Sequence, residues 1–509
     1  MADARLRKIA IVGGGMAGWM SAAALARFVP QPCEIELIEL ATNEAAAAGE
    51  ATLPSLEVWH RMLGIDESDF MRHTRATFKL GIELQDWATR GATFFHPFGM
   101  YGAGMDPVVF HNVWSKLRLN GDQASLEDFS LHAVAARRGR FARPAAGDRS
   151  IIAGLSYGYH LDVERYGSYL RRFAERRGVK RIAATVRAVR LREQDGFIES
   201  IELSDGSQVQ ADLFIDCSGF QALLIEAALH AGYEHESDVL PCDRAVTVAC
   251  ECAGELPPFT RSIAQDAGWQ WRIPLQDRID TGYVYSRAFV SDDEATATLL
   301  ANLPTRAVSE PRAFSFATGL RKKVWSANCV AIGSAAGYFE PLASTATHLI
   351  QTAIARLLAC LPDRACDTPV VAEYNRLTRI EYERIRDFLA LHYHATQRTD
   401  TPFWRACRGR DIPDLLSRKL RMFERCGRVV LLDEETFANP SWVAVFSGFQ
   451  VLPQRYAVTA DRIDFAQAQR HFNEMRQLVD RAANVLPRHA EFVSAYCLAA
   501  REPPPGGQR

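Results

Sequence analysis

Apolar and polar positions predict a strand, a tight turn and a helix at the start of the chain. Residues 8–12, KIAIV, are an apolar β-rich run; Gly13, Gly15 and Gly18 then punctuate the start of MAGWMSAAALARF, whose periodicity is helical. A second strand, EIELIEL over 34–40, alternates and then stays apolar, which completes a βαβ unit with Glu39 at its carboxyl end. Strand-like segments follow at 181–193, 198–206 and 211–219, spaced as hairpins inserted into or beside a parallel sheet. A further strand and turn, CVAIGSAAG (329–337), precede a helix whose face is marked by Leu349, Ile350, Ala353, Ile354 and Leu357. Beyond about residue 366 the pattern is mostly helical, with a break over 438–456, and the tail REPPPGGQR reads as disordered. No internal repeat is visible.

Composition narrows the function classes. A chain of 509 residues, with 48% apolar and 24% charged residues and a net charge of -2, has the balance of a globular enzyme of several units. No charge excess points to nucleic acid, and the basic stretch RRFAERRGVKR (171–181) reads as the wet face of a helix ending at Gly178. The eleven cysteines form no C-x-x-C pair, so the reading is reduced thiols, with neither a disulfide frame nor a metal site. No apolar run is long enough to span a bilayer and no signal region precedes the first strand; the expectation is a cytoplasmic protein without a membrane partner.

The spacing Gly13, Gly15, Gly18 between a strand and a helix is a dinucleotide signature with a physical basis. The first two glycines let backbone approach a pyrophosphate, the third lets helix pack on strand, and the helix amino end favours the negative charge. Glu39, placed to accept from a ribose, lies 26 residues after Gly13, against a usual separation of roughly 20. The motif does not choose between nicotinamide and flavin. The late strand-turn segments DLFIDCSGF and VAIGSAAGYFEP tip the choice toward FAD, with Ser334 where many such folds carry Asp. The predicted class is α/β: a Rossmann-like, flavin monooxygenase-type fold with an inserted sheet. Residues 1–365 are read as a discontinuous FAD module with interleaved substrate-side segments, 366–500 as a helical region completing the substrate pocket, and 501–509 as the tail.

Four segments resemble the flavin-dependent halogenases of the tryptophan halogenase family: GGGMAG; GEATLPSLEVW with TFKLGIELQDW; GWQWRIPL; and FEPLASTATHLIQTA. FFHPFG (94–99), YGYHLD (157–162) and DCSGF (216–220) add smaller similarities, so the resemblance covers roughly 8–360 and continues weakly beyond. It implies that reduced FAD, supplied by a separate and transient flavin reductase, works with oxygen and halide to make hypohalous acid for a small aromatic substrate. Lys79 becomes the catalytic lysine. Trp269, Trp271, Ile273 and Pro274 become a wall between flavin and substrate; core packing is the alternative for the two rings, since a W-x-W in a strand places both on one face. The flavin contacts implied are Ala51, Ser334 and Pro341, and the halide contacts are the amides of Thr345 and Ala346, for which an ordinary helix cap is the alternative. A homodimer is compatible with the sequence.

One departure bears on the chemistry. Where the family has Glu in P-L-E-S-T, this chain has Ala343. General-base assistance is worth about 10² to 10⁴ in rate, so the expected substrate is a ring that loses its proton readily, an indole or a phenol, in preference to tryptophan itself. Bromide, the more easily oxidised halide, is expected over chloride. Glu340 is a candidate replacement for the missing acid, and His96, His111 and His348 are candidate substrate-pocket groups. The rival readings are an FAD monooxygenase or oxidoreductase and a flavin-binding relative inactivated by Ala343.

Overall fold

The structure, a computed structural model, describes residues 5–40, 49–145, 147–252 and 254–499. The expected disordered tail, 501–509, lies outside the described residues.

The opening apolar run forms the strand Lys8–Val12, buried but for Lys8. It pairs in parallel with Glu34–Glu39 on one side and Leu213–Asp216 on the other. Lys180–Ala183 and Cys329–Ala331 extend this sheet in parallel, and Trp325–Ser326 closes one edge antiparallel. Five parallel strands drawn from positions 8 to 331 therefore converge with their carboxyl ends together, the place where doubly wound sheets bind ligands.

The 181–193 segment is not one strand. Lys180–Ala183 joins the parallel sheet, whereas Val186–Leu191 pairs with Ile198–Leu203 and Gln208–Val209 in a separate antiparallel sheet. A seven-stranded sheet supplies the second large layer, with Gly268–Pro274 between Thr260–Gln265 and Arg278–Tyr285. The parallel pairing of Thr260–Gln265 with Gly81–Gln85 ties it to the segment just after Lys79. A small sheet of Gly49–Ala51, Gly158–Asp162 and Thr77–Lys79 bridges the two layers.

The carboxyl-terminal third is mostly helical, and the expected break over 438–456 holds only in its second part, 449–456, which is non-helical. Asn439–Gly448 is a helix, because Pro440 falls in its first turn, where an absent N–H costs nothing, and the following WVAVF is fully buried. The basic helix spans Val163–Glu175 and stops three residues short of Gly178, which has a φ of 92°. Among the described residues, no helix is long and apolar enough to cross a membrane, and no cluster of His, Cys, Asp or Glu could hold a metal ion.

Candidate active site

A cavity of about 710 Å³ opens at the carboxyl ends of the parallel strands, within the range of cofactor sites. Gly13 and Gly15 line one end. Gly13 has a φ of +116°, and a Cβ there would lie 2.1 Å from the Cys217 carbonyl oxygen; one at Gly18 would lie 1.8 Å from the Gly13 carbonyl oxygen. The turn can close only as glycine, which leaves bare backbone facing the cavity beside the start of the Met16–Phe28 helix. Ala51, Ser334 and Pro341 line the cavity further along. Its size and its glycine cradle at a helix amino end fit a dinucleotide, and these residues would hold it. Glu39 packs against Gly14 at the strand end and accepts from Arg181 Nε at 2.5 Å, so one carboxylate oxygen is already engaged.

Trp269, Trp271 and Ile273 alternate along Gly268–Pro274, and all three face this same cavity. The two indoles stand 6.0 Å apart between centroids at 55°. Trp271 lies across Gly282 of the neighbouring strand, where a Cβ would come within 2.3 Å of its ring. Trp269 Nε1 donates to Glu340 Oε1 at 3.1 Å, and Tyr393 donates its hydroxyl to the same oxygen. Burial raises the Glu340 carboxyl to about 7. Glu340 thus fastens the tryptophan wall, and its bonds do not place it beside Lys79. Pro274 ends the strand and does not line the cavity; its carbonyl accepts from Thr77 Oγ1 at 2.7 Å, which couples the tryptophan strand to the lysine strand.

Lys79 is fully buried. Its ammonium donates to Ser344 Oγ at 2.6 Å and to the Thr52 carbonyl at 3.4 Å, and stands 4.9 Å from the Phe98 ring centroid. Burial lowers its pKa to about 7, against the opposing field of the Glu50 carboxylate. The backbone around it is held by two histidines that burial keeps neutral. His160 Nδ1 is 3.0 Å from Thr77 Oγ1, and its Nε2 is 2.9 Å from Thr260 Oγ1. His489 accepts from the Phe78 amide at 3.1 Å through Nε2 and meets the Leu256 carbonyl at 2.6 Å through Nδ1.

The FEPLASTAT segment does not enter a helix directly. Pro341–Ala343 is a single 3₁₀ turn, Ser344 turns left-handed at φ 61°, and the helix runs Ala346–Ala359 from Thr345 as cap. The Thr345 side chain makes no capping bond, which leaves the first amides of the helix available; Ala346 lines the cavity and Thr345 is buried behind it. Ala343 is buried as well, so a methyl fills the position where the resemblance expects a carboxylate.

Of the three candidate histidines, only His96 feels the charge of Lys79. It is buried beside Phe388 and Phe437, at 5.6 and 6.1 Å between centroids, and burial lowers it to about 3. His111 is spent on the Gly427 carbonyl at 2.8 Å, and His348 on Ser55 and Glu381. Two residues that sequence reasoning passed over belong to the site: Ser344, which receives the lysine, and Glu50, which lines the cavity. Ser344 lies within a recognised segment, yet only the fold shows its partner.

Comparison with known proteins agrees with this geometry. A family profile described as tryptophan halogenase matches residues 8–464. The chain is 32% identical over 524 residues to tryptophan 6-halogenase ThaL of Streptomyces albogriseolus, covering 95% of this chain and 97% of the relative. It is also 32% identical to tryptophan 7-halogenase RebH of Lentzea aerocolonigenes, covering 84% and 83%. BrvH, a flavin-dependent halogenase from Brevundimonas sp. BAL3, superposes with a TM-score of 0.93 at 42% identity, covering 97% of this chain and 100% of that one. The dinucleotide cavity walled by tryptophans, the buried lysine behind it and these matches along the chain lead to one assignment: the protein belongs to the tryptophan halogenase family of flavin-dependent halogenases.

Proposed function

We propose that this chain halogenates an electron-rich aromatic carbon, of an indole or a phenol, with hypohalous acid that Lys79 receives and presents, using bromide in preference to chloride. When bound, the reduced flavin, delivered by a separate reductase, supplies the oxidising equivalent from oxygen. The observation that carries the reading is Lys79: a buried ammonium whose neighbours Ser344 Oγ and Thr52 O accept its protons, on the strand tied through Thr77 to the tryptophan wall. Burial lowers its pKa to about 7, so at neutral pH about half of the molecules keep the ammonium, and that form donates a hydrogen bond to the hypohalous oxygen and sharpens the electrophilic halogen.

Trp269, Trp271 and Ile273 confine the aromatic substrate to the Lys79 side, so that a small oxidant reaches it and the flavin does not. The amides at Thr345 and Ala346 would hold the halide as other helix amino ends hold anions. Ala343 offers no base, which restricts the substrate to rings whose cationic intermediate loses its proton to water.

The test is mass spectrometry of indole incubated with the protein, FAD, NADH, an independent flavin reductase, oxygen and bromide, beside Lys79→Ala. A monobrominated product that requires Lys79 supports the reading. An oxygenated product selects a monooxygenase, and an absence of product from indole, phenols and tryptophan with FAD bound selects an inactive flavin-binding relative.

A further inference from the structure

Glu50 is the middle residue of the Gly49–Ala51 strand and lines the cavity. Its Oε1 accepts from Thr347 Oγ1 at 3.2 Å, and the Thr347 backbone amide stabilises the same carboxylate. Thr347 is the second residue of the Ala346–Ala359 helix, whose first amides lack intrahelical acceptors. The chain's own carboxylate therefore sits on the turn that the proposed function gives to halide. Two anions competing for one helix amino end, in a site dry enough to bury Lys79, repel each other.

Resting on that reading of the halide turn, we propose that halide binding is proton-coupled through Glu50: the side chain takes up one proton and becomes a neutral acid as the anion settles beside Thr345 and Ala346. The bookkeeping closes with the reaction. Turning halide into hypohalous acid with one oxygen atom consumes one proton overall, and the proton that Glu50 collects with the halide supplies that balance. It also gives this chain a half-buried acid lining the cavity near Lys79, whereas position 343 has none.

The groups around Glu50 are few. Lys79 favours its charged form; Tyr338 is pushed up by burial and, after that, by the Glu50 charge; Arg278, Asp280 and Asp162 pair among themselves beside Gly49; and His348 is turned to Ser55 and Glu381. Burial outweighs the favourable contacts and raises Glu50 to about 7, so the switch operates near neutral pH. Because Lys79 titrates in the same range, the test removes it first.

Chloride binding is followed by ³⁵Cl NMR line broadening in Lys79→Met and in Lys79→Met/Glu50→Gln, with and without FAD, from about pH 5.5 to about 9. Gln keeps the size of Glu and its bond to Thr347 while fixing the neutral state. With one proton per chloride, the affinity of Lys79→Met falls about tenfold per pH unit above the Glu50 midpoint, and that of the double variant stays flat at the acidic value. Equal slopes in the two proteins overturn the inference and leave the halide turn standing. Broadening absent from both variants and from the wild type at every pH removes halide from this turn, and the inference with it.

Discussion

Ser344→Gly isolates what holds the buried Lys79 ammonium. Ser344 Oγ is 2.6 Å from Lys79 Nζ, and the residue sits left-handed at φ 61°. Glycine removes the hydroxyl while relieving a backbone conformation that costs a non-glycine residue about 1–2 kcal/mol. A hydrogen bond to a charged group is worth about 1.5–3 kcal/mol, and one pKa unit corresponds to about 1.4 kcal/mol. Lys79, already lowered to about 7 by burial, should therefore fall by about one to two units further. At pH 7 the ammonium fraction then drops roughly 5- to 50-fold, and bromination with it, while the optimum moves to lower pH. The chain contains seven lysines, few enough to follow each ¹³Cε resonance through a pH titration, with Lys79→Met identifying the signal. The thermal midpoint should hold or rise. A Lys79 midpoint that stays put, or rises, refutes the claim that Ser344 maintains the charged lysine.

The same contacts predict three further outcomes. Lys79 has a folded pKa of about 7 against an ordinary 10.5, so its penalty is fully present below 7 and is relieved as pH rises toward 10.5. Lys79→Met should accordingly be the more stable protein at acidic pH, by up to about 5 kcal/mol, with urea midpoints converging above neutrality; a gap independent of pH would count against a depressed lysine. Gly282→Ala places a methyl 2.3 Å from the Trp271 ring, so it should lower the thermal midpoint, an overpacking cost of about 1–3 kcal/mol, and shift tryptophan fluorescence; an unchanged spectrum means that the ring does not rest there. Gly18→Ala drives a Cβ to 1.8 Å from the Gly13 carbonyl oxygen and should abolish retention of FAD on desalting, whereas Ala22→Gly, one turn later in the same helix, should retain it.

What the sequence made legible was local periodicity. The glycine turn, the Leu349–Leu357 face and the alternation of Trp269, Trp271 and Ile273 each lie within one element, where spacing alone dictates which side chains share a face. The partnerships that define the site were hidden because they join distant positions: Lys79 meets Ser344 across 265 residues, and Thr347 meets Glu50 across 297. Gly282 shows its purpose only once its register opposite Trp271 is known. The first part of the 438–456 break was misjudged for another reason: Asn and Pro mark a helix start as readily as a loop. Ala343 was visible from the outset, but the half-buried Glu50 was not, because it belongs to a stretch that reads only as a loop touching flavin.

The Phe78 amide, one residue before Lys79, finds its acceptor on His489, 411 residues later. During synthesis the amino-terminal layers can assemble early, for chains fold domain by domain as they emerge. The strand bearing the lysine nevertheless waits for its last support until almost the whole polypeptide has left the ribosome, with a buried amide unsatisfied at a cost of about 1–3 kcal/mol in the interval. A nascent chain can thus form its glycine cradle well before the Lys79 strand gains its last support, and shortening the chain from its far end should loosen that strand while sparing the cradle.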